Sequence, residues 1–181
     1  MASIPEPRRS EARVERLWSP WRHAYVTRDE RTAGGCVFCD VDTPAAQALV
    51  LHTGRLAFVI LNLYPYNGGH AMVVPKRHVP TLVGLTDEEL VEVARLTRLT
   101  EMALEEVYRP QGMNIGLNLG RPAGAGVVDH VHVHLVPRWN GDTNFMPVIG
   151  EIRVLPETLD VTAARLRPVL ARLVAEQGAS S

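Results

Sequence analysis

An alternating run in the C-terminal half constrains the fold more than any other stretch of this sequence. In "DHVHVHLVPRW", Asp129 to Trp139, histidines and apolar residues take turns. Alternation with period two is typical of a β-strand, because successive side chains leave a strand on opposite faces. One face of the predicted strand carries His130, His132 and His134. The other face, directed into a core, carries Val131, Val133 and Leu135.

The row of histidines indicates a functional site. A strand rises about 3.3 Å per residue, so alternate histidines lie about 6.6 Å apart, too far for all three to bind one metal ion at about 2 Å. Each imidazole also has polar nitrogens that need partners when buried, which makes histidine a poor choice for filling a core. We therefore expect the three histidines to divide different tasks among them.

The remaining segments predict an antiparallel sheet with helices. The apolar runs 55–63 and 70–75 flank "YPYNGG", whose Pro, Asn and Gly favour a hairpin turn. Thr86 begins a long helix, with Glu89 at the capping-box spacing, and the helical period lasts until "RPQG". "MNIGLNLG", residues 113–120, predicts a further strand, "RPAGAG" a tight loop, and a last helix begins near Val161.

These elements predict an α+β domain built on an antiparallel sheet, with one long helix and a C-terminal helix. We expect one domain over residues 16–176, a mobile N-terminal tail over 1–15 and a short C-terminal tail over 177–181. The chain has 181 residues, which is enough for a substantial core. Trp18, Trp21 and Tyr25 lie close together around a proline and predict a segment that packs on the domain or on a partner subunit, or that merely covers core edges.

The composition argues against nucleic acid and membranes as binding partners. Lys plus Arg number 19 and Asp plus Glu 20, for a formal net charge of -1, so no general basic field for nucleic acid is expected. The sequence has no apolar run long enough to span a membrane and no apolar signal segment at its start. We therefore expect a soluble, cytoplasmic protein that binds neither membrane nor nucleic acid.

Cys36 and Cys39 form a Cys-x-x-Cys pair and are the only cysteines of the chain. Two cysteines do not make a disulfide framework. The pair is compatible with a redox dithiol, half of a zinc site or two incidental thiols, and its Gly-, Asp- and Pro-rich surroundings favour a zinc knuckle. Zinc needs two further ligands, for which the candidates are His23, His52, His70, His78, His130, His132 and His134.

The histidine run resembles the signature of the histidine-triad (HIT) superfamily, in which histidines alternate with apolar residues. Residues 130–136 fill that pattern without a mismatch, and "GGHAMVVPKRHV" supplies the upstream Gly-His and Pro-Lys-x-His motifs. The resemblance covers about residues 36–145. Within the superfamily, "LNLYPYNGGH", "GLNLG" and "HLVPRWNGDTNF" are most similar to bacterial diadenosine tetraphosphate phosphorylases and, to a lesser degree, to Fhit-type dinucleoside polyphosphate hydrolases.

The resemblance implies roles for individual residues. His132, the middle histidine, is the implied nucleophile that forms a covalent nucleotidyl-histidine, and a neutral imidazole is suited to that task near pH 7. His134 and His70 are implied to line the phosphate pocket, where their donors would offset charge on the transferring group. The implied substrate-binding residues are Asn62 and its neighbour Leu63 at the nucleoside, Asn118 near the α-phosphate, and Gly124 and Gly126 before the triad.

The resemblance also implies a metal and an assembly. Zinc-containing members of the superfamily bind the metal through positions that correspond here to Cys36, Cys39, His78 and His130. A site closed by four protein ligands is typical of structural zinc. The superfamily typically forms homodimers by joining sheets across a two-fold axis, and symmetric dimers are common in general.

The loop before the triad departs from the superfamily. Many members have Gly-Gln-Ser or Gly-Gln-Thr there, whereas this chain has Gly124, Ala125, Gly126, Val127 and Val128. The side-chain amide and hydroxyl are absent, although backbone N–H groups of a Gly-rich turn can bind an anion. Trp139, Asn140, Gly141, Asp142 and Asn144 follow the triad and predict a pocket edge, a dimer surface or a polar loop with a packed tryptophan.

The sequence therefore predicts an enzyme that cleaves a phosphoanhydride of adenine dinucleoside polyphosphates, preferably by phosphorolysis of diadenosine tetraphosphate to ADP and ATP. Two rivals belong to the same superfamily, a hydrolase that uses water as the acceptor and a phosphoramidase. A third rival is a non-catalytic nucleotide-binding or zinc-stabilised interaction module. A redox protein that uses Cys36 and Cys39 is the most distant alternative.

Overall fold

The computed structural model describes residues 35–142 and 156–178. The predicted N-terminal tail, the aromatic cluster of Trp18, Trp21 and Tyr25, and Asn144 lie outside the described residues. Among the described residues, no helix combines the length and the apolar character needed to cross a membrane.

The centre of the fold is a five-stranded antiparallel sheet. Its strands are β1 (Val50–Thr53), β2 (Ala57–Leu61), β3 (Ala71–Pro75), β4 (Gly112–Gly116) and β5 (Val133–Arg138). They lie in the order β1-β2-β3-β5-β4. The predicted hairpin is confirmed as β2 and β3, which pair from Ala57 opposite Pro75 to Leu61 opposite Ala71.

Three α-helices accompany the sheet in the described part of the chain: α1 (Pro44–Gln47), α2 (Asp87–Tyr108) and α3 (Leu159–Gly178). The predicted start of the long helix is confirmed, because Thr86 and Glu89 form a complete capping box. The helix ends where Arg109 adopts a left-handed conformation with φ 46° before Pro110. Helix α3 continues through Gln177 and Gly178, which the sequence had placed in the C-terminal tail.

The sheet is buried on both faces. Alternate residues of β2, β3 and β5, among them Val59, Val73 and Leu135, pack in a core with α2 and α3. The residues between them, such as Ile60 and Met72, form a second cluster with Phe38 on the opposite face. The segment that carries the two cysteines therefore covers the face of the sheet that lies away from the two long helices.

Two strands are shorter than the sequence predicts. β4 ends at Gly116 rather than at residue 120, because the chain then enters a turn at Arg121–Ala123 that begins with Gly120 at φ 79°. β5 begins only at Val133. The predicted strand start near His130 is wrong, because the N–H of Val131 donates to the carbonyl of Val79 (2.7 Å) and leaves the ladder.

This local departure also redirects one apolar side chain. Val131 packs in a small separate cluster with Val79 and Leu85. Leu135 enters the main core and Val133 packs against it, as the alternation predicts. His134 pairs with Met72 across the sheet. Because paired residues share a face, His134 projects on the same side as the Phe38 cluster.

Candidate active site and metal site

The structure brings His132, His134 and His70 together. The ring centroids of His132 and His134 are 4.7 Å apart, and those of His70 and His134 are 5.1 Å apart. His134 comes from β5, and His70 immediately precedes β3, which pairs with β5. His70 and His132 are buried, so their ring nitrogens need partners within the protein.

Hydrogen bonds assign the tautomer of His132. Its Nδ1 lies 2.8 Å from the carbonyl oxygen of His130, which can only accept, so Nδ1 carries the proton. Nε2 of the neutral ring therefore keeps its lone pair. Burial lowers the pKa of His132, which favours the neutral form. This arrangement produces an imidazole whose Nε2 can act as a nucleophile.

A second chain of hydrogen bonds orients His70 and His134. The backbone N–H of Tyr66 donates to Nδ1 of His70 (3.1 Å), so the proton of the neutral ring is on Nε2. That Nε2 lies 3.0 Å from Nδ1 of His134 and donates to it. Nε2 of neutral His134 then carries a proton. Burial and the neighbouring His132 lower the pKa of His134 to about 4, so this N–H is a neutral donor at pH 7.

Gly69 explains why a glycine precedes His70. Its φ is +80°, and a methyl group at this position would lie 3.1 Å from both Leu104 Cδ2 and Tyr108 Cε2 and 3.3 Å from Pro137 Cγ. Only glycine adopts this conformation at low cost and allows such an approach to α2. The Gly-His motif therefore fixes the chain against the long helix just before the buried histidine.

The predicted substrate-binding residues lie around this group to different extents. Asn62 is next to it, with Nδ2 3.5 Å from Nε2 of His70, and its Oδ1 accepts from the N–H of Tyr64 (2.9 Å). Leu63 follows and is exposed. Asn118 lies just beyond Gly116, which pairs with His134 across β4 and β5.

The Gly-rich loop does not present its first glycine amide outward. The N–H of Gly124 donates to the carbonyl of Arg121 (2.8 Å), and the N–H of Ala125 donates to Gly120 (3.3 Å). These two backbone donors are satisfied within the loop, so neither matches the expectation of a free anion-binding amide. Gly126 lies partly buried beyond them.

Cys36, Cys39, His78 and His130 form a second group, adjacent to the first. One possible ligand atom from each residue lies within 4.8 Å of every other. Cys36 Sγ is 3.2 Å from His130 Nδ1, and Cys39 Sγ is 3.3 Å from His78 Nδ1. Of the histidines considered from sequence, His52 lies apart on β1, and His23 is outside the described residues.

The donor set fits a tetrahedral metal ion. Zinc–sulfur bonds of about 2.3 Å and zinc–nitrogen bonds of about 2.0 to 2.1 Å place tetrahedral donors about 3.3 to 3.8 Å apart. The three closest sulfur–nitrogen distances, 3.2, 3.3 and 3.7 Å, lie close to this range. His130 is already in the matching tautomer, because its Nε2 donates to the carbonyl of Pro75 (2.8 Å) and leaves Nδ1 directed to the sulfurs. The surroundings of the two cysteines thus favour a metal site over a redox dithiol.

Two aromatic residues at the sites escaped the sequence analysis. Phe38, inside the Cys-x-x-Cys turn, is buried with its ring centroid 5.5 Å from that of His130 and 5.0 Å from that of His132. Tyr66 stacks on His70 at 4.8 Å with an interplanar angle of 30°. An aromatic residue within a metal-binding turn or a histidine-bearing turn is a signal that could have pointed to both.

Comparisons with known proteins agree with this geometry. A sequence model of the HIT domain family matches residues 43–141. The AP-4-A phosphorylase of Mycobacterium tuberculosis is 41% identical over 167 residues, covering 88% of this chain and 86% of that protein. An asymmetrical bis(5'-nucleosyl)-tetraphosphatase of Schizosaccharomyces pombe is 38% identical over 93 residues, which are 51% of this chain and 50% of that protein.

Comparison with solved structures also finds similarity to histidine-triad proteins. A zinc-bound histidine-triad family protein from Mycobacterium smegmatis superimposes with a TM-score of 0.63 and 31% identity, covering 78% of this chain and 97% of that chain. The phosphorylase similarity extends over most of both chains. The chain therefore belongs to the HIT domain family, and it is an enzyme of that family.

Proposed function

We propose that this enzyme cleaves dinucleoside polyphosphates and that its preferred reaction is phosphorolysis of diadenosine tetraphosphate to ADP and ATP. The observation that carries the proposal is a buried His132 with a free Nε2 lone pair, in a chain 41% identical to AP-4-A phosphorylase over 88% of its length. A module that only binds nucleotides has no need for a nucleophile oriented in this way.

The reaction takes two displacements at one phosphorus. Nε2 of His132 attacks the α-phosphorus, a P–N bond forms, the P–O bond to the bridging oxygen breaks, and ATP leaves with the electron pair. An oxygen of inorganic phosphate then attacks the same phosphorus, the P–N bond breaks, and ADP leaves. Nε2–H of His134, held by His70, donates to a phosphate oxygen, and this contact offsets charge in both transition states.

Substrate contacts are proposed for the residues around the histidines. Asn62 Oδ1 has a second lone pair that accepts from a ribose hydroxyl, and Leu63 offers an exposed apolar side chain next to it for the base. Asn118 donates to the α-phosphate. Gly124 and Gly126 border the phosphates by allowing close approach of the loop, since the amide of Gly124 is already bonded to Arg121.

We assign Zn²⁺ to Cys36, Cys39, His78 and His130. The bound ion would crosslink the Cys-x-x-Cys segment to the ends of β3 and β5 and so contribute folding free energy. Four protein ligands close the coordination shell, so the role is structural. His130 then holds the carbonyl that accepts the Nδ1 proton of His132.

A homodimer is proposed through the β4 side of the molecule. β4 forms an edge of the sheet described here, with Ile115 and Leu119 exposed on it and just beyond it. An open groove of about 420 Å³ lies nearby between α2 and the residues Leu117 and Val133. A second copy docked across a two-fold axis would cover both the strand edge and these apolar side chains.

Product analysis tests the reaction. Purified protein is incubated with diadenosine tetraphosphate, with and without inorganic phosphate, and compared with His132→Asn and with the control His52→Asn, which alters a histidine on β1. We expect ADP and ATP only when phosphate is present, full activity in the control and none in His132→Asn.

Other results of the same experiment would contradict the proposal and support one of its rivals. AMP and ATP formed regardless of phosphate would identify a hydrolase, the alternative to which the S. pombe relative points. Faster cleavage of a nucleoside phosphoramidate would identify a phosphoramidase. Binding without turnover would leave a nucleotide-binding module.

A further inference from the structure

The carboxylate of Asp142 is the centre of a hydrogen-bond network at the end of β5. Oδ2 accepts from Nε of Arg138 (2.6 Å) and from the backbone N–H of Trp139 (3.1 Å), and Oδ1 accepts from Nη2 of Arg138 (2.9 Å). The hydrogen bonds from Arg138 hold the pKa of Asp142 well below its usual range. The carboxylate is therefore a fixed anionic acceptor at neutral pH.

Asn67 connects this anion to the turn that carries His70. Its Nδ2 donates one proton to Oδ2 of Asp142 (2.8 Å) and lies 3.0 Å from the carbonyl oxygen of Pro137, to which it donates the other. Both protons of one amide group are thus used, and neither Asp nor Ser can supply the same pair. The side chain of Asn67 fastens the 62–70 turn to the end of β5.

The backbone of the same turn sets the histidine tautomers. The carbonyl of Asn67 accepts from the N–H of His70 (3.2 Å), and the preceding residue, Tyr66, donates its N–H to Nδ1 of His70 (3.1 Å). His70 in turn orients His134 through Nε2 (3.0 Å). A shift of Asn67 therefore moves the donor that determines which nitrogen of His70 carries the proton.

We propose that Asn67 and Asp142 are positioning residues that hold the His70–His134 pair in its working tautomers. The effect on turnover rests on the proposed function, whereas the effect on the tautomers does not. The proposal gives the "PRWNGD" segment a defined task, since Asp142 holds the turn from which His70 and Tyr66 act. Outer partners that orient metal-binding histidines typically contribute about 10- to 100-fold to activity, and we expect an effect of the same order for these positioning residues.

The test compares Asn67→Asp, which keeps the shape but removes both N–H donors, with Asp142→Asn, which keeps the shape but removes the charge. Arg172→Gln, which removes an exposed ion-pairing arginine on α3, is the control. Long-range ¹H–¹⁵N spectra of histidine-labelled protein report the tautomers of His70 and His134. Steady-state kinetics with diadenosine tetraphosphate and melting curves accompany them.

In both Asn67→Asp and Asp142→Asn, we expect His70 and His134 to show a mixture of tautomers instead of one each. The kcat should fall about 10- to 100-fold, and KM should change less than about threefold. Arg172→Gln should retain the wild-type spectra and kcat. Wild-type tautomers and kcat in folded Asn67→Asp and Asp142→Asn, with only a lower Tm, would overturn the proposal. If the wild-type protein does not turn over the substrate, the proposed function fails, and the tautomer spectra alone decide the positioning role.

The two residues should also act as one unit. In Asn67→Ala, Asp142→Ala and the double variant, the second substitution should add little to the loss of kcat caused by the first. Losses that multiply independently would show that the two side chains do not work through one contact and would overturn the proposal.

Discussion

Gly69→Ala perturbs the structure at the point where the histidine turn contacts the long helix. The new methyl group would lie 3.1 Å from side-chain atoms of Leu104 and Tyr108, and Leu104 is fully buried and cannot move aside cheaply. Overpacking of this kind costs about 1 to 3 kcal/mol, and a left-handed conformation costs a residue with a Cβ about 1 to 2 kcal/mol. We expect Gly69→Ala to lower the free energy of unfolding by about 2 to 5 kcal/mol in total.

Two control variants separate these contributions. Gly141 has φ +77° but nothing within 4 Å of its hypothetical methyl group, so Gly141→Ala carries the conformational cost alone. Gly112 also has nothing within 4 Å, and its φ is not positive, so Gly112→Ala carries neither cost. Urea unfolding followed by circular dichroism measures all three variants.

The decrease for Gly69→Ala corresponds to a fall of about 4 to 20 °C in Tm. Because the displaced backbone leads directly into His70, the folded fraction of this variant should also be less active. Equal stabilities of Gly69→Ala and Gly141→Ala would refute the argument that crowding against α2 makes glycine necessary at this position.

Further predictions concern the metal, pH and assembly. Cys36→Ser should lower the zinc content and the Tm, with a smaller effect on the chemistry at the histidines. Val37→Ser, which alters an exposed neighbour, should retain full metal content by elemental analysis. His134 has its pKa lowered to about 4, below the unfolded value near 6.5, so stability is complete above pH 6.5 and is lost as pH falls toward 4. Urea unfolding near pH 7 and pH 5 should differ by about 2 kcal/mol from this group, a difference that His134→Gln should remove. Ile115→Lys, at 43% exposure on β4, should give a monomer by light scattering, while Val161→Lys, at 46% exposure on α3, should leave a dimer.

Local sequence patterns correctly predicted the elements that depend on interactions between residues close in sequence. The hairpin of β2 and β3 follows from apolar runs around turn residues, and the start of α2 follows from Thr86 and Glu89. Both signals depend on interactions between residues that are close in sequence, so they are visible without knowledge of the fold.

The alternation of the histidine run predicted too long a strand because a distant residue competes for its backbone. The carbonyl of Val79 takes the N–H of Val131, and the side chain of His132 takes the carbonyl of His130. The bond from Val131 forms only after the segment that follows β3 has been placed beside the triad. Periodicity therefore gave the correct side-chain directions for His134 and Leu135 but the wrong first residue of the strand.

The contacts that build the candidate sites join segments that are far apart in sequence. The candidate metal site joins Cys36 to His130, 94 positions away, and Cys39 to His78, 39 positions away. The resemblance to a known superfamily, rather than spacing, selected the two histidines. The contacts of Phe38, Tyr66 and Asn67 depend on tertiary packing between the cysteine turn, the 62–70 turn and β5. A local pattern can draw attention to the two aromatic residues, but it contains no information about the partners that these side chains contact.

Covalent trapping tests the central claim most directly. Intact-protein mass spectrometry would follow the enzyme mixed with diadenosine tetraphosphate in the absence of inorganic phosphate, with peptide mapping of any adduct. We expect one adenylyl group on His132, acid-labile as a phosphoramidate is, which disappears as ADP forms when phosphate is added. An active enzyme that shows no adduct at any time, or that carries the adduct on another residue, would contradict the assignment of His132 as the nucleophile.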